Sequence, residues 1–301
     1  MHTPICALLD NRGIVRLTGP DSRSMLQGLI SNDITTLTPG HALYAALLTP
    51  QGKYLFDFLL YDSHGGILLD GELARIPALV QRLSMYRLRA NVAMENASDE
   101  FRVLAVTGKG AVERLGLPPS AGATRAEGDA IIAVDPRLVE LGVRVVLPRS
   151  SLDAFVARYD LTPAPFADYD RHRLALGVPD GSRDLIVDKS LLLESGFEEL
   201  NGVSFTKGCF VGQELTARTK HRGLVKKRLL PVQVTGALPP SGTPVTRGER
   251  DAGELRSGVD GMALALLRLE QLAVTGKGPL LAGEATLTPK PPAWLQLPVA
   301  D

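Results

Sequence analysis

The sequence predicts an α+β protein that ends in a small antiparallel β-barrel, and two patterns in the 301-residue chain support this prediction. Across residues 101–159, apolar strands and amphipathic helices follow each other in the order strand, helix, strand, strand, helix. From residue 229 onward, short β-like runs are separated by glycine and proline, which is typical of a small antiparallel barrel. This change in character predicts a domain boundary near residues 226–229.

The first hundred residues predict a further set of strands and helices. The strands are expected at 6–9, 13–17, 43–48, 54–61 and 67–70, and the helices at 22–30, after an N-capping Asp21, and at 76–88. The strands that flank residues 49–53 are expected to form a β-hairpin. Two later segments lack strict periodicity: residues 118–128 are predicted to be an exposed loop, and residues 182–206 loops and short turns.

Asp57 is an unusual residue in its surroundings, because it places a carboxylate inside the apolar strand 54–61. Burying an unpaired carboxylate costs several kcal/mol, roughly. The sequence therefore predicts that Asp57 is paired, hydrogen-bonded or part of a functional site.

Composition excludes several classes of protein. Lysine plus arginine (33) balances aspartate plus glutamate (33), so no overall field attracts nucleic acid or a membrane, and any such partner would need a local patch. Two cysteines cannot form a disulfide framework or a four-cysteine metal site. The N-terminal residues do not match a secretory signal, and no apolar run reaches the length of a membrane span. We therefore expect a cytoplasmic protein.

The run KGCFVGQE at residues 207–214 combines residue types that suit chemistry or ligand binding. Cys209 could act as a soft nucleophile, and Lys207 and the arginines that follow would favour its thiolate form. Glycines let backbone N–H groups approach a ligand closely, and Gln213 and Glu214 can bind a polar heterocycle. The alternative is a tight turn around a small buried cysteine. On these residues alone, both interpretations stay open.

Several runs of the sequence together resemble a known family: GPD at 19–21, LQGL at 26–29, SND at 31–33, LTPQGK at 48–53 and NGVSFTKGCFVGQE at 201–214. They are similar to the YgfZ family, the folate-dependent relatives of the glycine-cleavage T-protein, an aminomethyltransferase. The continuation of the last run to residue 228 resembles the mitochondrial iron–sulfur assembly factor of this family. The match is weakest in residues 100–165 and 235–301.

The resemblance implies a three-domain, ring-like architecture with a folate site near its centre. The implied division is a discontinuous N-terminal folate-binding domain of residues 1–98 and 166–226, a small α+β subdomain of residues 99–165 and a β-barrel domain of residues 227–301.

The resemblance also implies a function: a tetrahydrofolate-binding accessory protein for the assembly or repair of iron–sulfur clusters in client enzymes. Cys209 would be the essential thiol, and no metal ligands are implied. The residues implied to contact folate are Asn32, Asp33, Asp57, Lys207, Gly208, Gly212, Gln213, Glu214 and Arg218.

The sequence departs from the T-protein at Phe56-Asp57. In the aminomethyltransferases the matching strand carries two adjacent aspartates near the reacting folate nitrogen, and the T-protein lacks the motif cysteine. Both differences favour an accessory factor over a glycine-cleavage enzyme. Two alternatives stay open: a folate-dependent one-carbon transferase acting on an amine or a tRNA base, and a folate-binding scaffold in which Cys209 is dispensable.

The expected partners are folate and iron–sulfur client or scaffold proteins. One thiol per chain cannot hold a cluster alone, so a partner such as a glutaredoxin, an A-type scaffold or glutathione would supply further ligands. Residues 218–228 contain six basic side chains, and we expect part of this segment to meet an anion. The candidates are a folate polyglutamate tail, a client protein and, less favoured, RNA. No membrane partner is expected.

Overall fold

The structure is a computed structural model that describes residues 4–223, 225–272 and 278–297. Its strands are β1 (Ile5–Leu8), β2 (Arg12–Thr18), β3 (Leu43–Leu48), β4 (Tyr54–Ser63), β5 (Gly66–Glu72), β6 (Ala93–Asn96), β7 (Phe101–Thr107), β8 (Thr124–Glu127), β9 (Ala130–Val134), β10 (Val143–Pro148), β11 (Thr162–Ala164), β12 (Lys227–Thr235), β13 (Pro244–Arg247), β14 (Arg250–Val259), β15 (Met262–Arg268), β16 (Leu280–Ala282) and β17 (Ala285–Pro289). Its α-helices are α1 (Ser22–Gln27), α2 (Ile76–Arg87), α3 (Ala111–Arg114), α4 (Leu152–Arg158), α5 (Phe166–Ala175), α6 (Gln213–His221) and α7 (Leu269–Leu272).

Two compact units make up the chain. The first contains Met1–Thr49, Leu55–Tyr169 and Leu200–Val211, and the second contains Pro50–Tyr54, Asp170–Glu199 and Gly212–Asp301. The first unit holds two β-sheets and the second holds a barrel. The division into three domains that the resemblance implied stays a prediction.

One sheet of the first unit has five strands in the order β3-β4-β5-β2-β6. The predicted hairpin of β3 and β4 is confirmed, since the two strands are neighbours in this sheet. Helices α1 and α2 supply Leu26 and Leu83 to the same apolar core as Phe58, Leu60 and Leu69 of the strands. Alternate residues of β4 therefore bury one face of the sheet.

The other sheet of the first unit has six strands in the order β11-β1-β7-β10-β9-β8. Strand β1 lies parallel to β11 and antiparallel to β7. Strands β1 and β2, although neighbours in sequence, therefore belong to different sheets. The core of this sheet contains Leu104, Ile132 and Val145 with Phe155 of α4.

The barrel of the second unit closes in the order β12-β15-β14-β13-β16-β17. Its interior is lined by aliphatic side chains such as Leu230, Val232, Leu255, Leu267 and Leu287. The predicted C-terminal antiparallel barrel is confirmed. The sequence pattern missed β16, because a three-residue strand is too short to show alternation.

Two local predictions were wrong, and one strand was not predicted. The predicted loop 118–128 contains β8, whose polar sequence TRAE hides a strand that pairs with β9. Strand β6 was not predicted, because most of its residues are exposed and its sequence shows no apolar face. Asp21 does not cap α1: its side chain accepts a hydrogen bond from the backbone N–H of Asn91 at 2.7 Å.

Candidate functional site

Residues 200–211 of the first unit run as an irregular segment that we call the motif loop. Lys207 fastens it to the segment after α1, because its Nζ donates hydrogen bonds to the carbonyl oxygens of Ile30 at 2.6 Å and Asn32 at 2.7 Å. Burial lowers the pKa of the Lys207 ammonium to about 8, against an opposing effect of the Asp33 carboxylate. The Nζ atom also lies 5.1 Å from the centre of the Phe210 ring.

Backbone contacts fix the loop on both sides of the cysteine. The carbonyl of Lys207 accepts a hydrogen bond from Nε2 of Gln27 at 3.2 Å. Two residues after the thiol, the N–H of Val211 donates to the carbonyl of Gly28 at 3.1 Å. Each such bond contributes about 1 kcal/mol. Cys209 is thus held between two anchored residues.

Asn32 joins the start of the motif loop to β3. Its Nδ2 donates to the carbonyls of Tyr44 at 2.8 Å and Asn201 at 2.7 Å, and its Oδ1 accepts from the N–H of Asp33 at 2.9 Å. The next residue, Asp33, caps a short 3₁₀ turn by accepting from the N–H of Thr35. The side-chain hydroxyl of Thr35 is the main cause of a lowered pKa at Asp33. The polar atoms of Asn32 and Asp33, which were predicted to contact folate, therefore make hydrogen bonds within the protein.

Cys209 is exposed, whereas Cys6 of β1 is buried. The glycine before it, Gly208, has φ of +91°, and a Cβ at that position would meet open space. This glycine is required by its left-handed backbone conformation and not by close packing. The interpretation of Cys209 as a small buried hydrophobe is therefore wrong, because the turn presents its side chain to solvent.

The last part of the motif belongs to the second unit. Gly212 adopts φ of +82° and precedes α6, whose first turn contains Gln213 and Glu214. Glu214 and Arg218 are both exposed, and a spacing of four residues places them on one face of the helix. The structure thus brings Asn32, Asp33 and Lys207 together and places Gln213, Glu214 and Arg218 on a helix of the second unit.

Asp57 points into the core of the first unit. It is 7% exposed, and its Oδ2 accepts a hydrogen bond from the hydroxyl of Tyr44 at 3.0 Å. Burial first, and the Asp57 carboxylate second, raise the pKa of Tyr44 well above its usual value. Phe56, the neighbour of Asp57 in β4, has the Arg75 guanidinium 4.3 Å from its ring centre. The predicted pairing of a buried Asp57 is confirmed.

A buried charge cluster in the first unit was not predicted. It consists of the ion pairs Arg12–Asp70 at 2.6 Å and Arg137–Asp135 at 2.7 Å, with Arg144 at 3.4 Å from Asp135 and 3.8 Å from Asp70. Burial alone would raise the pKa of Asp135, but Arg137 and Arg144 outweigh it and lower the pKa to about 2. The members of the cluster lie as far apart in the sequence as residues 12 and 144, so no local sequence pattern could have predicted it.

The cluster also reaches the motif loop. The Nδ2 atom of Asn201 donates to the carbonyl of Pro136 at 3.2 Å, next to Arg137. The Arg137 guanidinium in turn lies 5.6 Å from the ring centre of Tyr44. The buried charges therefore help to fix the strand and loop that hold the motif.

The second unit contains a polar pocket of about 260 Å³ lined by residues that include Lys189, Glu194, Lys227 and Arg256. Burial raises the pKa of the Glu194 carboxyl, against opposing effects of Lys227 and Lys53. Because the lining contains further carboxylates as well as cations, the pocket suits a polar ligand that carries both donors and acceptors. Sequence reasoning missed Glu194, since it lies in the aperiodic segment 182–206.

Within the described ranges, no cluster of three or more His, Cys, Asp or Glu residues could hold a metal ion. In the same part of the chain, no helix is long and apolar enough to cross a membrane.

Comparisons with known proteins identify relatives of the chain. Residues 226–297 match the family model described as the CAF17 C-terminal β-barrel domain. The chain is 38% identical over 300 residues to the iron–sulfur cluster assembly factor IBA57, mitochondrial, of Mus musculus, covering 91% of this chain and 79% of the mouse protein. The chain belongs to the IBA57 family. The human IBA57 protein is also 38% identical, with the same two coverages, and the homologue of Mycosarcoma maydis is 32% identical over 88% of this chain and 74% of its own length.

The IBA57 family membership agrees with the resemblance to the YgfZ family. The fold is that of the glycine-cleavage aminomethyltransferase: the T-protein of Bartonella henselae superposes with a TM-score of 0.77 over 97% of this chain and 86% of its own, at 15% identity. The expectation of a cytoplasmic protein is contradicted, because these IBA57 relatives are named mitochondrial. Neutral charge and two cysteines fit any reducing compartment and could not distinguish between them.

Proposed function

We propose that this member of the IBA57 family acts in the assembly or repair of iron–sulfur clusters in client enzymes, through the thiol of Cys209. The observation that carries the proposal is the contrast between the two cysteines. Cys209 is exposed on an anchored loop, and Cys6 is buried in a strand. The relatives that show the family are named iron–sulfur cluster assembly factors.

In this proposed function, Cys209 acts together with ligands that a partner supplies. A biological cluster usually needs about four ligands, and the described residues contain no metal-binding group of three or more ligand side chains. Cys209 therefore contributes one ligand or one sulfur contact, and a scaffold protein, a glutaredoxin or glutathione supplies the others. The fixed loop lowers the entropy that would be lost when the thiol meets such a partner.

The basic segment supports contact with an anionic partner surface. Arg218 and Arg222 are exposed on and just after α6, and Lys220 pairs with Glu198. Arg228 is buried and pairs with Glu199 at 2.6 Å, so it belongs to the framework of the second unit. The exposed arginines are the members of this segment that we propose to meet a client protein, with a folate polyglutamate tail and tRNA as alternatives.

Tetrahydrofolate binding is a further part of the proposal, and the predicted contacts fit it only in part. Asn32, Lys207 and Asp57 direct polar atoms to partners within the protein, as described above. Glu214 and Arg218 stay exposed and could bind the polar groups of folate. Folate binding is tested by calorimetry with tetrahydrofolate, where Glu214→Ala should weaken binding at least fivefold, roughly the loss of one charged hydrogen bond. No measurable binding of the wild-type protein would remove folate from the proposal.

The alternative function is a folate-dependent one-carbon transferase that acts on an amine or a tRNA base. The T-protein fold is compatible with it. It needs a positioned carboxylate near the reacting centre, but the Asp57 carboxylate is 7% exposed and bonded to Tyr44. The geometry therefore favours the assembly role.

One experiment separates the two functions. Cells that lack this protein should lose aconitase-type and radical-SAM activities, and the purified protein should transfer no methylene or formyl group to an amine acceptor. Full client activity in the deletion cells, or steady one-carbon turnover by the purified protein, would contradict the proposed function.

A further inference from the structure

The C-terminal end of α2 carries an exposed apolar pair. Met85 is 63% exposed and Leu88 is 87% exposed, which makes them the two most exposed of the large hydrophobic side chains found on the surface of the described residues. Met85 lies in the last turn of α2, and Leu88 follows the helix directly. Single exposed apolar residues are common, but an adjacent pair at a protruding helix end is less so.

Leu88 is presented by an unfavourable turn. Its backbone has φ of +43° and ψ of −107°, a conformation that glycine adopts readily and leucine rarely. The N–H of Ala90 donates to the carbonyl of Arg87 at 2.7 Å, which closes a tight turn with Leu88 at its first central position. A glycine would fit this position without strain. A leucine at this position costs conformational energy, and its side chain is exposed to solvent. Backbone strain of this kind is often found where a side chain binds a partner.

The charges around the pair have one sign. Arg87 and Arg89 flank Leu88 and are both exposed. From residue 73 to residue 94 the sequence contains four arginines and no aspartate or glutamate. In a chain with zero net charge, the exposed Arg87 and Arg89 therefore form a small basic patch at the end of α2.

Three carboxylates before, after and beside α2 have partners of their own. Asp21 accepts a hydrogen bond from the N–H of Asn91 at 2.7 Å. Glu72, before the helix, lies 4.0 Å from Arg75, and Glu95 of β6 pairs with Arg16. Of these three carboxylates, Asp21 is the one bonded to the chain just after α2, and its single negative charge is outnumbered by the charges of Arg87 and Arg89.

We propose that the end of α2 is a contact site for an anionic lipid surface, with Met85 and Leu88 entering the interface and Arg87 and Arg89 meeting the headgroups. Apolar side chains on a protruding tip, flanked by arginines, suit the boundary between headgroups and acyl chains. The other exposed positions of α2, which include Pro77, Ala78, Gln81 and Ser84, carry no charge that would repel such a surface. This contact is peripheral and independent of the role of Cys209.

Lipid fits this surface better than a protein partner does. Met85 and Leu88 expose most of their surface to solvent, at 63% and 87%. A protein interface of ordinary stability also buries roughly 800 Å² on each side, and a single turn with two apolar side chains supplies much less.

The test is flotation of the purified full-length protein with vesicles of phosphatidylcholine, either alone or with about 30% phosphatidylglycerol. The wild-type protein should float with the anionic vesicles and not with the neutral ones, and about 0.5 M salt should release it. The double variant Met85→Asp with Leu88→Asp should lower the bound fraction about tenfold or more. The double variant Arg87→Gln with Arg89→Gln should lower it several-fold, roughly.

Two controls separate binding from folding. Leu238→Asp makes the same apolar-to-acidic change at a 37% exposed leucine of the second unit and should leave flotation unchanged. Leu88→Gly suits the turn and should preserve the fold while it weakens binding. Failure of the wild-type protein to float with anionic vesicles, or equal flotation of the α2 variants, would overturn the proposal and would favour a protein contact at this surface.

Discussion

The Nζ atom of Lys207 donates a hydrogen bond to the backbone carbonyl of Asn32 at 2.7 Å, across 175 positions of the sequence. Lys207, two positions before the thiol in the sequence, therefore fastens the motif loop to the segment after α1. Asn32 in turn holds the loop at Asn201. Through these hydrogen bonds, Lys207 and Asn32 fix the loop that carries Cys209.

The first prediction concerns the pH dependence of stability at Lys207. The pKa of this lysine is about 8 in the folded protein and 10.5 at its ordinary value. Between these values the unfolded chain holds a proton that the folded protein lacks, so this lysine makes the free energy of unfolding rise with pH. Chemical denaturation between pH 7 and 9.5, roughly, should show a steeper rise for wild type than for Lys207→Met.

The control for this prediction is Lys109→Met, which removes an exposed lysine and should follow the wild-type curve. Parallel curves for wild type and Lys207→Met would show that the ammonium does not lose its proton in this window.

The second prediction concerns thiol reactivity. Cys209 is exposed, whereas Cys6 is 4% exposed and burial raises the pKa of its thiol. A thiol reagent should therefore modify one cysteine rapidly in the native protein and the other only on unfolding. Mass spectrometry of the labelled peptides should assign the rapid site to Cys209, and Cys209→Ala should abolish it. Rapid labelling of Cys6 would be inconsistent with the described burial.

The third prediction concerns Asn32. Replacement by alanine leaves the carbonyls of Tyr44 and Asn201 without their donor, which should lower the free energy of unfolding by about 1–3 kcal/mol. Local release of the motif loop should also speed limited proteolysis within residues 200–211. Asn91→Ala, at an exposed asparagine, is the matched control. Unchanged proteolysis in Asn32→Ala would argue that the loop is held by other contacts.

The fourth prediction concerns the buried pair of Tyr44 and Asp57. Tyr44→Phe removes the hydroxyl that donates to the carboxylate and should destabilise the protein by about 1–3 kcal/mol. In the Asp57→Asn background the same change should cost less, because the charge is already gone. A double-mutant cycle of unfolding free energies measures the difference, and strictly additive effects would contradict a direct interaction.

The fifth prediction concerns the turn after α2. Leu88→Gly relieves the unfavourable backbone conformation and should raise the free energy of unfolding by about 1 kcal/mol, even though glycine loses more chain entropy on folding. Thermal unfolding measures this gain, with Leu88→Ala as the control that keeps the strain. A loss of stability in Leu88→Gly would mean that the leucine is held by packing.

Elements with a strong apolar pattern could be predicted from the sequence, and the residues around the motif show why others could not. The hairpin β3–β4 follows from two apolar runs that flank a short turn, and the barrel follows from short β-like runs separated by glycine and proline. Asp57 was expected to need a partner because the cost of burying a carboxylate can be read from its own strand. That the partner is Tyr44, and that Arg12, Asp135 and Arg144 form a buried cluster, depends on contacts between distant segments.

The same limit applies to the motif. The residue types of the run 207–214 suited chemistry or ligand binding, and the exposed Cys209 is compatible with that interpretation. The sequence could not show that Lys207 and Asn32 would be directed at backbone carbonyls, because a lysine or amide that binds a ligand and one that fastens a loop look the same in a sequence.

The exposed thiol of Cys209 is the group that we propose to act in the assembly or repair of iron–sulfur clusters. The most direct test of this role is the activity of a [4Fe–4S] client such as aconitase in deletion cells that express wild type, Cys209→Ala, Cys209→Ser or Cys6→Ala at equal levels. We expect wild type and Cys6→Ala to restore client activity, and we expect both Cys209 variants to fail although they fold normally. Full restoration by Cys209→Ala would contradict the role proposed for this thiol.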